Sequence, residues 1–203
     1  MKELQLDFCG TYREQGFLHG ELLDFRPLDG TQCYCSATSA DAIRSALARF
    51  GPGGIHWIDS GDYHYASLFF LEMIHRPFCL VLFDNHSDDG EDAFGSGMLS
   101  CGNWVAFARR LPLWREDDGA LPVYISIDKD VLSREYARTD WDQGDMTLGQ
   151  LCSCITQINS CRQIIGIDVC GEISLSKGAS GEDLEINRST NEKLRELFLN
   201  LNR

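Results

Sequence analysis

Short apolar runs, each closed by acidic or imidazole residues, recur along the chain. Cys79-Leu80-Val81-Leu82-Phe83 leads into Asp84-Asn85-His86-Ser87-Asp88, and Val123-Tyr124-Ile125-Ser126-Ile127 into Asp128-Lys129-Asp130. Earlier, Gly54-Ile55-His56-Trp57-Ile58 leads into Asp59-Ser60-Gly61-Asp62-Tyr63-His64. Runs this short, β-branched and aromatic predict buried strands. A further strand is expected over residues 163–167 and a first one over residues 4–9, which Asp7 interrupts. Between the strands the spacing predicts helices. Thr38-Ser39 offers caps for one over residues 40–50, stopped by Gly51-Pro52-Gly53-Gly54. Residues 65–75 read as a mostly buried helix, and Asn103 as a cap for one running through Arg110. Thr147 begins another, to Ile158, with Leu148, Leu151 and Ile155 at helical spacing, and residues 189–201 form a closing amphipathic helix. Residues 24–31 and the polar stretch 174–187 read as loops, the second mobile and near the mouth of a crevice. Alternation of this kind indicates an α/β protein with three α-β-α layers and a mostly parallel sheet. The length of 203 residues makes a single domain, 1–203, the expectation.

The strand ends carry the chemistry. If extended geometry persists past Phe83, positions two apart project to one side, and Asp84, His86 and Asp88 converge. Oxygen donors with one imidazole suit a divalent ion such as Mn²⁺ better than a thiolate set would. The competing reading is a turn, since Asp and Asn cluster where strands end. A second pair of carboxylates two apart, Asp128 and Asp130, shifts the balance. In an open parallel sheet, ligands bind beyond the carboxyl ends of the strands. Three such ends therefore aim at one place, and cations are the natural way to neutralise the carboxylates gathered there.

In type and order these motifs resemble the arginase–agmatinase–formimidoylglutamase family, the ureohydrolases with a binuclear manganese centre. Ser60-Gly61-Asp62-Tyr63-His64 is similar to the family's Gly-Gly-Asp-His, Asp84 to Asp88 to its D-x-H-x-D, and Ser126 to Asp130 to its S-x-D-x-D. Ser96-Gly97-Met98-Leu99 and Gly144-Asp145-Met146-Thr147 echo its Ser-Gly-Asn-Leu and Gly-Gly-Leu-Thr. The likeness spans residues 54–172. It implies an arginase-like fold reduced in size, and two Mn²⁺ ions or other divalent ions. Asp84 and Asp128 would bridge, His64 and Asp88 would complete one coordination sphere, and His86 and Asp130 the other. It also implies hydrolysis of a carbon–nitrogen, non-peptide bond in a small guanidino, amidino or formimino substrate. A hydroxide between the ions would be the nucleophile, held by the hydrogen bond it donates to Asp88.

The departures matter as much. Tyr63 is an extra residue ahead of His64. Where arginases place a proton-shuttling His, this chain has Ser100-Cys101-Gly102, so Cys101 is the nearest equivalent and a poor general acid. Such a position predicts a thiol inside the crevice that labels faster than the buried cysteines. The family's acidic residue for the substrate guanidinium falls in Asp168-Val169-Cys170-Gly171-Glu172, with one residue inserted. Glu172 then either holds a cationic substrate at the crevice rim or caps a turn. The short separation of Asp88 from Asp128 leaves parts of the usual pocket missing or rebuilt. The alternative is therefore a ureohydrolase-like protein that binds metal, has lost catalysis and serves as a binding module.

Composition narrows the partners. A formal net charge of −13 argues against a nucleic-acid binder, which would want a basic face, and much of it lies in residues 84–92 and 115–118. No apolar stretch is long enough to span a bilayer, and residues 1–7 lack the layout of a signal peptide. A cytoplasmic protein with a small cationic substrate is the expectation, and the nine cysteines read as reduced thiols. His19, His75 and His56 have bland readings as surface or core histidines, and the four tryptophans as core or pocket wall. Asp62 either orients His64 or caps the next helix. A calcineurin-type phosphoesterase would need Gly-Asn-His where Gly102-Asn103-Trp104 stands. An EF-hand loop from Asp84 would need Gly and an acid where Asp89 and Gly95 stand.

Overall fold

The computed structural model describes residues 2–91, 97–116 and 119–201. Gly95, Ser96 of the Ser96–Leu99 echo, and the acidic Asp92, Asp117 and Asp118 lie outside the described residues. The strands are β1 (Glu3–Asp7), β2 (Glu21–Asp24), β3 (Tyr34–Cys35), β4 (Ile55–Ile58), β5 (Cys79–Phe83), β6 (Leu99–Ser100), β7 (Val123–Asp128) and β8 (Ile164–Cys170). The helices are α1 (Thr11–Gln15), α2 (Ala37–Leu47), α3 (Ala66–Leu71), α4 (Trp104–Ala108), α5 (Leu148–Cys161) and α6 (Gly181–Asn200). Six strands form one sheet in the order β2-β1-β4-β8-β7-β5, and every pairing in it is parallel. The short β3 and β6 pair antiparallel.

Helices cover both faces. Leu151, Ile155, Leu194 and Phe198 of α5 and α6 pack with Trp57, Ile125, Ile127 and Val169 on one side. Ile43, Leu47, Phe69 and Trp104 of α2, α3 and α4 pack with Leu6, Ile58 and Tyr124 on the other. Strand side chains alternate between faces. Because Val123, Ile125 and Ile127 face the α5–α6 layer, Tyr124, Ser126 and Asp128 face the α2–α4 layer. That alternation decides which layer holds the site.

Several boundaries differ from the sequence reading. Ser36, accepting from the Ser39 amide, caps α2 two residues ahead of Thr38. Asn103 precedes α4 but binds backward, its Oδ1 accepting from the Ser100 amide and its Nδ2 donating to the Met98 carbonyl. Thr147 does cap α5, through a reciprocal box with Gln150. The stretch 174–187 is no long loop. A similar box between Ser180 and Asp183 starts α6 at Gly181. Strand β8 also runs three residues past Ile167, ending at Cys170.

This extension fixes Glu172. Its amide donates to the Asp59 carbonyl at 3.1 Å, and its side chain is fully buried. Lys129, between the two acids of the S-x-D-x-D element, alternates away from them and ion-pairs with Glu172. Glu172 also accepts from Gln15 Nε2 at 2.6 Å, Asn191 Nδ2 at 2.7 Å and Asn187 Nδ2 at 2.9 Å, while Lys129 donates to Asn191 Oδ1 at 2.9 Å. The network ties the Asp128–Asp130 turn to α1 and α6. Removing one partner of such a buried pair strands a charge, at a cost of about 3–5 kcal/mol. Lys129→Met is therefore expected to lower the urea midpoint sharply, and adding Glu172→Gln to restore much of it. Equal midpoints for Lys129→Met and the parent chain would show that the pair carries no structural weight.

Candidate metal centre

Strand β5 stops at Phe83, so the D-x-H-x-D residues do not converge by extended alternation. They converge by a turn. The His86 amide donates to Asp84 Oδ1 at 2.6 Å, and Asp88 takes a left-handed φ of 48°, a region that Asp tolerates better than most residues. The result is two groups sharing one acid. His64 Nδ1 lies 3.0 Å from Asp88 Oδ2, 3.2 Å from Asp84 Oδ2 and 3.7 Å from Asp128 Oδ2. His86 Nδ1 lies 2.8 Å from Asp130 Oδ2 and 3.6 Å from Asp84 Oδ1. Asp84 thus faces both imidazoles, one oxygen to each. Asp128 groups with His64 and Cys170, and its Oδ1 accepts from the Asp130 amide at 2.9 Å.

Supporting bonds orient these groups. His64 Nε2 meets Ser126 Oγ at 2.9 Å, and Ser126 Oγ donates to Asp168 Oδ1 at 2.6 Å. A second nitrogen fixed in this way sets the tautomer that leaves Nδ1 for the centre. Trp104 Nε1 donates to Asp88 Oδ2 at 2.7 Å, and the Asn85 amide to Asp130 Oδ1 at 2.9 Å. The backbone is cut away around Asp128. A Cβ at Gly171 would fall 2.3 Å from its Oδ1, and one at Gly61 2.9 Å from its Oδ2.

Six donors, His64, Asp84, His86, Asp88, Asp128 and Asp130, thus gather at the carboxyl end of the sheet. Two buried atoms among them, His64 Nδ1 and Asp84 Oδ2, have no hydrogen-bond partner. Unpaired buried polar atoms are costly and need an explanation, and a cation between them supplies one. The donors are imidazole and carboxylate, which fit Mn²⁺ and similar divalent ions. Burial raises Asp84, with His64 opposing and Asp128 and Asp88 adding to the rise. Burial first, then a neighbouring carboxylate, pushes Asp128 and Asp130 to about 6. Burial alone would lower His64, but its acidic neighbours hold it well above the usual range.

Asp84, His86, Asp88, Asp128 and Asp130 line a cavity of about 280 Å³ whose wall includes Cys101, Gly61 and Trp141. Cys101 is where the sequence placed it. Burial, then the Cys33 thiol, Asp88 and Asp62, push its thiol up to about 12, which argues against the fast labelling expected of it. Glu172 is a correction. It belongs to the buried Lys129 network, not to the cavity wall, so it does not meet a substrate at the rim. Asp62 takes neither expected role. Its Oδ1 accepts from Trp141 Nε1 at 3.0 Å and its Oδ2 from Gln32 Nε2 at 3.2 Å, joining two loops at the cavity mouth. His56 is a core residue, stacked on Phe70 with centroids 3.7 Å apart and bonded to Tyr124 Oη at 2.9 Å. Burial lowers it to about 3.

No family model matches the chain. An uncharacterized protein of Thermotoga maritima is 31% identical over 196 residues, which cover 82% of this chain and 78% of that protein. The chain belongs to that protein's family. Among solved structures, proclavaminate amidino hydrolase from Streptomyces clavuligerus is similar with a TM-score of 0.67 at 14% identity, over 97% of this chain and 90% of that one. Arginase from Bacillus subtilis gives 0.64 at 9% identity, over 98% of each chain. A hypothetical agmatinase from Burkholderia thailandensis gives 0.63 at 16%, over 97% and 85%. The fold is the ureohydrolase fold.

Within it, sequence reasoning missed the Ser126–Asp168 relay, Trp104 and Cys170. Alternation along β7 and β8 was the signal for the first and last, since it puts Ser126, Asp128, Asp168 and Cys170 on one face. Trp104 carried no such signal.

The raised acids set a pH dependence. Asp128 and Asp130 titrate near 6 in the folded chain and near 3.9 unfolded, so the native state binds more protons between those values. Stability of chelator-treated protein should therefore rise as pH falls from about 7 to about 4.5, and decline as pH rises. Asp59, also pushed up to about 6 by burial, and the raised His64 act in the same direction. His56, lowered to about 3 by burial, opposes them below about 6.5 but is one group against three acids. Exposed pairs such as Asp24–Arg26 oppose only weakly. Excess divalent metal should reverse the slope, because ligands must deprotonate to bind. Thermal midpoints at pH 5 and 7, with and without metal, check both signs. A metal-free midpoint that is higher at pH 7 would contradict the assignment.

Proposed function

We propose that the chain is a metal-dependent hydrolase that cleaves a carbon–nitrogen bond, other than a peptide bond, in a small guanidino, amidino or formimino substrate. The observation that carries this reading is a pair of buried atoms, His64 Nδ1 and Asp84 Oδ2, that lie 3.2 Å apart and make no hydrogen bond, within two donor groups that share Asp84. His64, Asp84, Asp88 and Asp128 would hold one ion, and Asp84, His86, Asp130 and Asp128 the other, with Mn²⁺ as the ion the family likeness implies. Bound there, the ions would supply a water ionised near neutral pH and a Lewis acid. Asp88, which accepts from Trp104 Nε1 and lines the cavity, would accept a proton. Trp141 walls the cavity, and no Lys or Arg is among its described lining residues. A substrate whose reacting end is cationic suits that surface. The names of the solved structures of this fold, among them agmatine ureohydrolase, formimidoylglutamase and arginase, support the reaction class.

The second reading is a binding module that keeps the metals without turnover. It is favoured by Cys101, a thiol held protonated where a shuttle would need to recycle near neutral pH. Metal analysis combined with turnover on a panel of guanidino, amidino and formimino compounds separates the two. The enzyme reading expects up to two Mn²⁺ per chain. It expects Asp84→Ala to lose both, and His86→Ala to weaken mainly one and depress turnover. Metal uptake without turnover on the whole panel would leave the binding module. Folded protein that takes up no Mn²⁺ in excess would end both readings.

A further inference from the structure

Cys170 is a donor that the six-residue set leaves out. It ends β8 directly beside Asp128 of β7, the two paired in register on the face turned toward α2–α4. Its Sγ lies 3.2 Å from Asp128 Oδ2, and ligand atoms of His64, Asp128 and Cys170 all fall within 4.8 Å of one another. All three residues are buried. Two donors on one tetrahedral ion, with bonds of about 2.3 Å to sulfur and 2.0 Å to oxygen, sit roughly 3.5 Å apart. The observed spacing is close to that. His64 Nδ1, 1% exposed at its side chain and without a hydrogen-bond partner, is aimed into the same group.

We propose that Cys170 supplies a thiolate ligand to the ion held by His64 and Asp128, so that the two metal positions differ in kind. The inference rests on the binuclear reading above and adds a sulfur to one of its positions. Binding transfers the thiol proton to solvent, and the S–H bond is replaced by a metal–sulfur bond. The His86 position, made of imidazole and carboxylates, remains suited to Mn²⁺. The His64 position, with sulfur added, selects a more thiophilic ion such as Zn²⁺ or Co²⁺. The chain would then be a mixed-metal centre.

Cobalt reads this directly. Titration of metal-free, reduced protein with Co²⁺ should develop a near-ultraviolet sulfur-to-cobalt charge-transfer band along with the weaker visible bands. Cys170→Ser should abolish the charge-transfer band and weaken Co²⁺ at one position about 10–100-fold, leaving the other unchanged. Cys101→Ser should keep the band, which separates Cys170 from the thiol at the cavity wall. Zn²⁺ should displace Mn²⁺ from one position before the other. X-ray absorption at the zinc edge of the unsubstituted protein should find a sulfur neighbour at about 2.3 Å, a readout that survives if Cys170→Ser fails to fold. Co²⁺ bound with visible bands only, and a zinc shell without sulfur, would make Cys170 a mere hydrogen-bond donor to Asp128 while leaving the centre intact. No uptake of Co²⁺ or Zn²⁺ by folded protein would overturn the centre and the thiolate together.

Discussion

The structure is organised around the cost of holding carboxylates out of water. Asp84, Asp128, Asp130 and Asp168 sit at or near the carboxyl end of the sheet, and burial raises all four. Charged groups so close in a low dielectric are tolerated only with compensation. The chain supplies some itself. Backbone amides of residues 85, 86 and 130 donate to Asp130, Asp84 and Asp128, Trp104 donates to Asp88 and Ser126 to Asp168. His64 faces Asp84, Asp88 and Asp128, but its Nδ1 and Asp84 Oδ2 still lack a hydrogen bond. A divalent cation would answer the remaining negative charge at this end.

The sheet makes the arrangement possible. In a parallel sheet flanked by helices, the strand ends open onto a crevice, and the core beneath them is apolar on both faces. Most of this was legible in the sequence. Runs such as Cys79–Phe83 and Val123–Asp128 announce strands by composition. The acids that follow pointed to a cation at the strand ends, with a turn as the competing reading, and the full set of six donors, His64 among them, came from the family resemblance.

What was not legible depended on tertiary partners. Glu172 looked like a free carboxylate after a strand because nothing local marks Lys129, 43 residues away, as its counterion. The first residues of α6 looked like loop because helix formation there is decided by the Ser180–Asp183 box and by docking of Leu194 and Phe198, not by an apolar repeat in the first turns. Cys170 was hidden by an early end placed on β8. Had the strand been carried to Cys170, alternation from Asp168 would have set the thiol beside Asp128. The turn at Asp88 was hidden because a left-handed residue is a property of the fold around it.

Lys129 also changes how the centre should be thought of mechanically. It separates two candidate ligands in sequence, yet its side chain is clamped in the opposite layer by Glu172 and Asn191. The turn bearing Asp128 and Asp130 is thus riveted through the sheet and cannot swivel without dragging α6 along. Drift in the far layer becomes a change of ligand geometry. The long helix that shares no surface with the cavity is, in this sense, the back plate of the centre.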